Sequence, residues 1–344
     1  MLVDSRRCLV ADKRPSGPQT LRRLQVVLAG MLAELHRVCE ELEIPYVVYG
    51  GTAIGTLRHE GFIPWDDDID VCMLRPDYER FLREAPSKLQ PGFELDNTAS
   101  NPEFPFMFTK MVLRGTLVIP ESAKKSKYRM PAFIDVIPLD VLPDDPALQR
   151  RQIRSTWLWG RLLFLQGTGK PHLTLKGPLR HLVFAATSLA HAALGVMRVR
   201  PRLLQRRWER AARRFEGTDA ERVADFTMRV PLPWAVKEEE LSPAVDGLSE
   251  GLAVKLPREH DAVLTRGYGD YMLLPAPEDR VAHKPHLIDL GAHDPGEQEL
   301  TTRLVADDDS PGYASETLQR LQTLLKTAFA EFDRVCSRAR IPYV

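Results

Sequence analysis

The chain has little cysteine, no excess of charge of either sign and no long apolar run. Its four cysteines form no CxxC pair, which argues against a disulfide framework or a zinc site and favours a reducing compartment. Lysine plus arginine and aspartate plus glutamate number 47 each, so the total charge gives no support for nucleic-acid binding. No run of about 18 uncharged apolar residues is present, and the first residues lack the apolar core of a secretory signal. We expect a cytoplasmic globular protein.

Patterning divides the 344 residues into four segments. Residues 1–19 show no apolar periodicity and are expected to be a disordered lead. Residues 20–145 have the element order of a core domain with a mixed α/β sheet. Residues 146–295 are predicted to be a helical, basic region that ends in a further motif, and residues 296–344 a linker followed by the start of a second copy of the core domain.

A long amphipathic helix is predicted at the start of the core domain. Its apolar residues recur at helical spacing between Leu21 and Leu42, and Ile44-Pro45 ends it. Cys39 in this stripe, and Cys72 in a later strand, are expected to be small core residues.

Strand-like runs follow in an order typical of a mixed α/β sheet. A turn at Gly50 to Thr52 separates the first run from a short helix, which Thr52 is placed to cap. Pro76 suits the first turn of another helix, and Pro138 follows the last strand. The predicted strands are residues 46–49, residues 69–74, two runs within residues 106–119, and residues 132–137.

Four carboxylates crowd into the five residues from Asp66 to Asp70. Asp68 and Asp70 are two apart on a predicted strand, so they point to one face, about 6.6 Å apart along the chain. Two carboxylates so placed can hold a hard cation such as Mg²⁺. The alternative is a solvated acidic turn, which the apolar neighbours Ile69 and Val71 disfavour.

Asp135 is a further acidic candidate. It lies in Phe133-Ile-Asp-Val-Ile137, a run that is otherwise apolar. A carboxylate in such a strand is costly unless it is paired or bound to a cation. We expect a third metal ligand or a general base, and the alternative is a pair with a structural arginine.

Groups suited to phosphate lie around these acids. Gly50 and Gly51 separate a buried strand from a helix start, where bare N–H groups and the helix dipole can hold phosphate oxygens; the alternative is a tight turn. Arg58 offers a forked donor. Lys110 could neutralise a phosphate, unless it is an ordinary surface lysine. His59 could orient the substrate or cap the loop. Trp65 could stack on a base or ring of the substrate, or lie in the core.

The run from Gly50 to Asp70 resembles the signature of the LicD family, relatives of fukutin within the nucleotidyltransferase-fold superfamily. The similarity continues in Phe133-Ile-Asp-Val-Ile-Pro-Leu-Asp140 and in Tyr268-Gly-Asp-Tyr-Met272, which His283 follows. It covers about residues 25–290. The resemblance implies a nucleotidyltransferase-like mixed sheet with flanking helices, of α/β (α+β) class.

The resemblance also implies a reaction, the transfer of a phospho-alcohol such as phosphocholine or ribitol phosphate. The donor would be CDP-linked, and the acceptor a sugar hydroxyl of a cell-surface glycan such as lipopolysaccharide or teichoic acid. Asp68 and Asp70 would bind Mg²⁺ or Mn²⁺ against the donor diphosphate, and Asp135 would complete the metal site or deprotonate the acceptor. The residues expected to hold the donor, its phosphates or the acceptor are Gly50, Gly51, Thr52, Arg58, His59, Trp65, Lys110 and His283.

Residues 150–214 differ from the rest of the chain. They contain fifteen lysines and arginines and a single acid, Glu209, together with an apolar run from Leu182 to Met197 that His191 interrupts. One interpretation is a helical subdomain with a solvated basic face. The other is attachment to an anionic membrane surface, which suits an enzyme acting on a lipid-linked glycan at the inner membrane face.

Other functions stay open at this point. Nucleotidyl transfer to a small molecule or glycan would use the same metal pair, and a non-catalytic glycan-binding scaffold could keep the same fold. Nucleic-acid binding through residues 150–214 is not expected, because no docking motif is visible there.

The end of the chain repeats its beginning. Residues 317–344 match residues 20–47 at a constant offset of 297, with about half of the 28 positions identical. We interpret this as a tandem duplication of which the chain keeps the opening of the second copy.

Overall fold

The computed structural model describes the chain over residues 18–124, 126–168, 178–276, 280 and 285–296. The predictions for the lead before Pro18, for His283 and for the repeat in residues 317–344 fall outside these ranges.

Seven strands of the described chain form one mixed sheet. They are β1 (Val47–Val48), β2 (Asp70–Leu74), β3 (Phe93–Asp96), β4 (Thr109–Leu113), β6 (Ala132–Leu142), β7 (Arg222–Ala224) and β8 (Val236–Lys237). The main order is β1-β2-β6-β4-β3, in which β2 and β6 run parallel and the other neighbours antiparallel. Strand β7 pairs with the end of β6, and β8 pairs with β7.

Two small antiparallel sheets accompany the main one. β5 (Leu117–Pro120) pairs with β11 (Pro285–Asp289), and β9 (Val245–Ser249) pairs with β10 (Leu252–Leu256). The runs on either side of Arg114-Gly115 are thus confirmed as the strands β4 and β5, but they join different sheets.

Eight helices surround the sheets in the described part of the chain. They are α1 (Pro18–Glu41), α2 (Gly50–His59), α3 (Arg75–Glu84), α4 (Pro146–Gly167), α5 (Pro178–Val196), α6 (Pro201–Ala212), α7 (Glu238–Leu241) and α8 (His260–Tyr268). The predicted mixed α/β class is therefore confirmed. Within the described ranges no single helix is long and apolar enough to cross a bilayer, although Arg180–Val196 and Pro201–Phe215, bent by 110°, meet the length and composition requirement together.

The predicted stripe of α1 packs into the main core. Leu28, Met31 and Leu35 are buried against residues of the central sheet. Cys39 and Cys72 are also buried and free, which confirms their interpretation as core residues, and burial raises the pKa of both thiols.

Two local predictions were wrong. β6 does not end before Pro138 but continues through it to Leu142. Proline is tolerated because the pairing with β4 ends at Val136 and the pairing with β7 begins at Asp140, so this edge needs no N–H at Pro138. Thr52 does not cap α2, because the helix begins at Gly50 with Tyr49 as its N-cap residue.

A buried ion pair fastens α3 to the central strand. The guanidinium of Arg75 donates to both carboxylate oxygens of Asp140, at 2.7 and 2.6 Å. Both side chains are buried. In such a pair the two charges compensate each other's loss of hydration, so removing one partner costs more than the pair itself contributes.

We expect Asp140→Asn to lower the free energy of unfolding by about 3 kcal/mol, because the Arg75 charge would remain buried and unpaired. The matched control is Glu79→Gln, which removes a half-exposed partner 3.6 Å from the same arginine and should cost less than about 1 kcal/mol. Urea unfolding followed by circular dichroism measures both. Equal losses in the two variants would contradict this account.

Candidate active site

A row of charged side chains crosses the central sheet. Asp70 of β2 stands in register with Asp135 of β6, Asp135 with Lys110 of β4, and Lys110 with Asp96 of β3. Residues paired in register point to the same face of a sheet. Three carboxylates and one ammonium group therefore lie side by side on four neighbouring strands.

Lys110 and Asp135 form the centre of this charged row. The Nζ atom of Lys110 donates to Asp135 Oδ1 at 2.5 Å and lies 3.4 Å from the centroid of the Phe133 ring. Lys110 is only 2% exposed, so the interpretation as a surface lysine is wrong. Asp135 is paired with a lysine rather than with a structural arginine.

The two ends of the charged row have opposite surroundings. Asp96 accepts from Arg114 at 2.6 Å and from the Tyr128 hydroxyl at 2.8 Å, so its charge is compensated within the fold. Asp70 instead faces other acids. Burial, followed by repulsion from Asp68 and Asp135, raises the pKa of the Asp70 carboxyl well above its usual value, and Lys110 offsets only part of this.

The loop before β2 adds further carboxylates. Oxygens of Asp66, Asp67 and Asp68 lie within 4.8 Å of one another, close enough to share one metal ion. Gln25 of α1 holds this loop, since its Nε2 donates to the carbonyl oxygen of Asp66 at 2.9 Å. Hard carboxylate oxygens at this density suit Mg²⁺ or Mn²⁺. Asp66 and Asp67 stood in the acidic run but were not predicted as ligands. The prediction that Asp68 shares a strand with Asp70 was wrong, because β2 begins at Asp70 and Asp68 lies in the loop before it.

The N-terminus of α2 lies against the same acids. Gly50 has a left-handed φ of 55°, and a Cβ at Gly51 would lie 2.7 Å from Asp66 Oδ2. The first turn of a helix leaves N–H groups without partners inside the helix. Thr52 Oγ1 accepts from the backbone N–H of Asp70 at 2.9 Å and so ties the turn to β2. The glycines thus let the helix start approach the carboxylates closely.

Tyr268 at the end of α8 brings the third sequence motif to this place. Its hydroxyl oxygen would lie 3.5 Å from a Cβ built at Gly50. Burial and the nearby acids, Asp70 first among them, raise the pKa of Tyr268 to about 12. Its ring packs edge-on against Trp234. The sequence analysis had found this motif but assigned Tyr268 no role.

Arg58 and His59 lie at the other end of α2. Eight residues separate Arg58 from Gly50, about 12 Å along a helix axis. Arg58 donates to the carbonyl oxygens of Tyr271 at 2.6 Å and Leu273 at 3.2 Å, and to His59 Nε2 at 2.9 Å. These contacts join α2 to the segment after α8. Binding of phosphate by Arg58 and orientation of substrate by His59 stay predictions.

Trp65 precedes the acidic loop and is half-buried at the edge of the main core. The guanidinium of Arg280 lies 4.4 Å from the centroid of its ring. This contact shows that the ring is accessible to a planar cation, while stacking on a base stays a prediction.

Residues 43–128 match a family model described as LicD/FKTN/FKRP, nucleotidyltransferase domain. The chain carries a LicD-family domain. The matched segment contains the acidic loop, the start of α2 and Lys110, while Asp135 and Tyr268 lie beyond it.

Relatives among curated proteins agree with this assignment. The chain is 27% identical over 283 residues to the lipopolysaccharide cholinephosphotransferase LicD of Haemophilus influenzae, covering 78% of this chain and 96% of that protein. Shorter similarities link it to uncharacterised proteins of Rickettsia typhi, 31% identical over 65 residues, and Rickettsia prowazekii, 30% identical over 84 residues. These two cover 21% and 30% of the respective proteins. The prediction of a LicD-like phosphotransferase enzyme is confirmed.

We expect Asp70→Asn to raise the melting temperature of the metal-free protein. A raised pKa means that folded Asp70 binds its proton more tightly than unfolded Asp70. Proton binding by Asp70 therefore stabilises the folded protein fully below the carboxyl pKa of the unfolded chain, about 4. This stabilisation is lost as pH rises toward the pKa of Asp70 in the folded protein. The variant should gain about 2 °C or more at pH 7 and little at pH 4.

The measurement is thermal unfolding in chelator from pH 4, close to the ordinary carboxyl pKa of about 4, up to pH 8. Asp219→Asn, an exposed loop position, is the matched control and should change little at any pH. A difference between Asp70→Asn and wild type that failed to grow with pH would contradict the account.

The expectation that the start of α2 holds a CDP-linked donor predicts that Gly51→Ala weakens donor binding by about tenfold or more, because the added Cβ would displace the Asp66 carboxylate from 2.7 Å. The helical φ at this position accepts alanine, so stability should change little. Gly195→Ala is the control, since no atom lies within 4 Å of the added Cβ. Calorimetric titration with a CDP-linked alcohol measures the affinity, and wild-type binding by Gly51→Ala would refute the close approach.

Proposed function

We propose that this protein transfers a phospho-alcohol from a CDP-linked donor to a sugar hydroxyl of a cell-surface glycan, with lipopolysaccharide as the first candidate. One observation carries the proposal. Asp70, within the segment that matches the LicD family model, stands in register with Asp135 on a parallel strand, beside the glycine-led start of α2. The name of the Haemophilus influenzae relative supports both the phospho-alcohol chemistry and the glycan acceptor.

A divalent cation fits the carboxylates. Asp68 and Asp70 would hold Mg²⁺ or Mn²⁺, with Asp66 and Asp67 beside them and Asp135 as a third ligand or as the base. The raised pKa of Asp70 supports this, because burial and then repulsion from neighbouring acids disfavour its charged form, and a nearby cation would favour that form. When bound, the ion would neutralise the donor diphosphate and the charge that develops on the leaving group.

The chain's own groups would position the reactants. The N–H groups of Gly51 and Thr52, at the positive end of α2, would hold phosphate oxygens. The acceptor oxygen would form a bond to the donor's alcohol-bearing phosphorus, while the bond from that phosphorus to the oxygen of CMP breaks. Asp135 would receive the hydroxyl proton, with Lys110 fixing the orientation of its carboxylate through the 2.5 Å contact. Catalysis would rest on alignment and charge compensation.

The acceptor suggests a place of action. To bind a glycan built on a lipid carrier, the enzyme would work at the inner face of the membrane. It would be a cytoplasmic protein in peripheral contact with anionic lipid. The basic segment between residues 150 and 214 supports this, with fifteen cationic side chains and one acid.

A second candidate is nucleotidyl transfer, which the description of the matching family model favours. The same acids would serve it, because both reactions break a bond in the donor diphosphate. The products differ. Phospho-alcohol transfer releases CMP and leaves the alcohol phosphate on the glycan, whereas nucleotidyl transfer leaves a nucleotide on the acceptor. Mass spectrometry of the modified glycan separates the two.

The deciding experiment is calorimetric titration of CDP-choline, CDP-ribitol, CDP-glycerol, CDP and UDP, each with and without Mn²⁺. We expect metal-dependent binding of at least one CDP-alcohol, and a loss of about tenfold or more in Asp68→Ala. Asp219→Ala, in an exposed loop, is the control and should bind as wild type. Binding of no donor, or binding indifferent to metal and to Asp68, would refute the enzyme proposal and favour a glycan-binding scaffold.

A further inference from the structure

Helix α5 presents an apolar stripe to the outside. Leu182, Leu189 and Val196 are seven residues apart, which is two helical turns, so they share one face. Leu189 is 72% exposed and Val196 84%. Exposed Ala185 and Ala193 continue the stripe between them. Large apolar side chains so exposed and so aligned mark an interaction surface.

The opposite side of α5 is occupied by α4, which fixes the direction of the stripe. Leu194 is buried. The Nδ1 atom of His191 lies 2.7 Å from the carbonyl oxygen of Leu165, and Gln166 donates to the carbonyl oxygen of Val199 at 3.4 Å. The stripe therefore lies on the side of α5 that faces away from α4.

Arginines follow the stripe at the corner between α5 and α6. Arg198, Arg200 and Arg202 are exposed, and they lie between exposed Met197 and Leu203. Arg198 has a left-handed φ of 51°, a helix-ending position that favours glycine. The corner thus combines apolar and cationic side chains within a few residues.

The outer face of α6 extends the positive charge. Arg206, Arg207 and Arg210 are exposed, whereas Leu204 and Trp208 on the other side are buried. The three arginines line an open groove of about 690 Å³ between α4 and α6. Glu209 also lines this groove, and it is the one acid beside fifteen cations in the sequence of residues 150–214, which therefore carries a large excess of positive charge.

We propose that the α5 stripe and the arginine corner dock the protein on an anionic lipid bilayer. Leu182, Leu189 and Val196 enter the boundary between headgroups and acyl chains, and the arginines contact lipid phosphates. Charge complementarity selects this occupant, because a second copy of the chain would bring like charges together. The inference rests on the proposed function for its lipid-linked acceptor, but it uses no residue of the acidic site.

The test is co-sedimentation of the full chain with vesicles of phosphatidylcholine alone, or of phosphatidylcholine with phosphatidylglycerol. We expect binding to the anionic vesicles only, weakening as salt rises. Leu189→Asp should lower the partition coefficient about tenfold or more. Arg198→Gly and Arg200→Gln should each lower it about fivefold. Arg198→Gly should keep or raise the melting temperature, because glycine suits the left-handed φ.

Matched controls carry the same changes elsewhere. Val230→Asp alters another exposed apolar side chain, and Arg83→Gln another exposed arginine. Both should partition as wild type. Donor titration of Leu189→Asp should also match wild type, so a failure of docking and a failure of the proposed chemistry give different results.

The docking proposal would be overturned if wild-type protein failed to bind anionic vesicles. It would also be overturned if the stripe and corner variants bound them as well as wild type. Alternatively, Leu189→Asp would convert a dimer into a monomer on analytical ultracentrifugation, which assigns the stripe to a second copy. A fall in the melting temperature of Leu189→Asp, together with no vesicle binding by wild type, would assign it to another part of the same chain.

Discussion

The pairing of Asp70 with Asp135 is the constraint on which the rest of the site depends. Parallel pairing of β2 and β6 sets the two carboxylates side by side, although 65 residues separate them in the chain. Like charges this close, partly removed from water, raise the free energy of the folded state unless a cation compensates them. Lys110 compensates Asp135 from the next strand. Asp70 is buried among further acids, which raise the pKa of its carboxyl, and this imbalance supports cation binding in our proposal.

Several contacts around the pair resist its repulsion. The Arg75–Asp140 pair holds α3 to β6, the strand that also carries Asp135. Gln25 of α1 holds the acidic loop through the backbone of Asp66. The Thr52 hydroxyl ties the α2 turn to Asp70. The contacts of Gln25 and Thr52 bind backbone groups of the acidic segment rather than its carboxylates. A site built this way stores unfavourable electrostatic energy in the free protein and releases it when charge is neutralised.

The features that the sequence predicts depend on neighbouring residues. Those that it does not predict depend on the register between strands that are distant in the chain. The α1 stripe, the buried strands and the acidic run from Asp66 to Asp70 are properties of neighbouring residues, and the local sequence reveals them. The partner of Asp135 and the arrival of Tyr268 beside Gly50 depend on pairing between distant segments. Pro138 was misread for the same reason. Whether a proline ends a strand depends on where the neighbouring strands stop, which its own flanking residues do not encode.

A formal net charge of zero conceals two opposite regions. The acidic loop and Asp70 repel anions, whereas the helices α4 to α6 attract them. An enzyme that must bind a diphosphate donor only together with a cation gains from such separation, because the cation then decides when the acidic site accepts its anionic ligand. Arginines placed next to those acids would neutralise them and remove that requirement, as Lys110 already does for Asp135. In our proposals, keeping arginines on helices α4 to α6 would let the chain hold an anionic surface at all times and bind an anionic donor only when the cation is present.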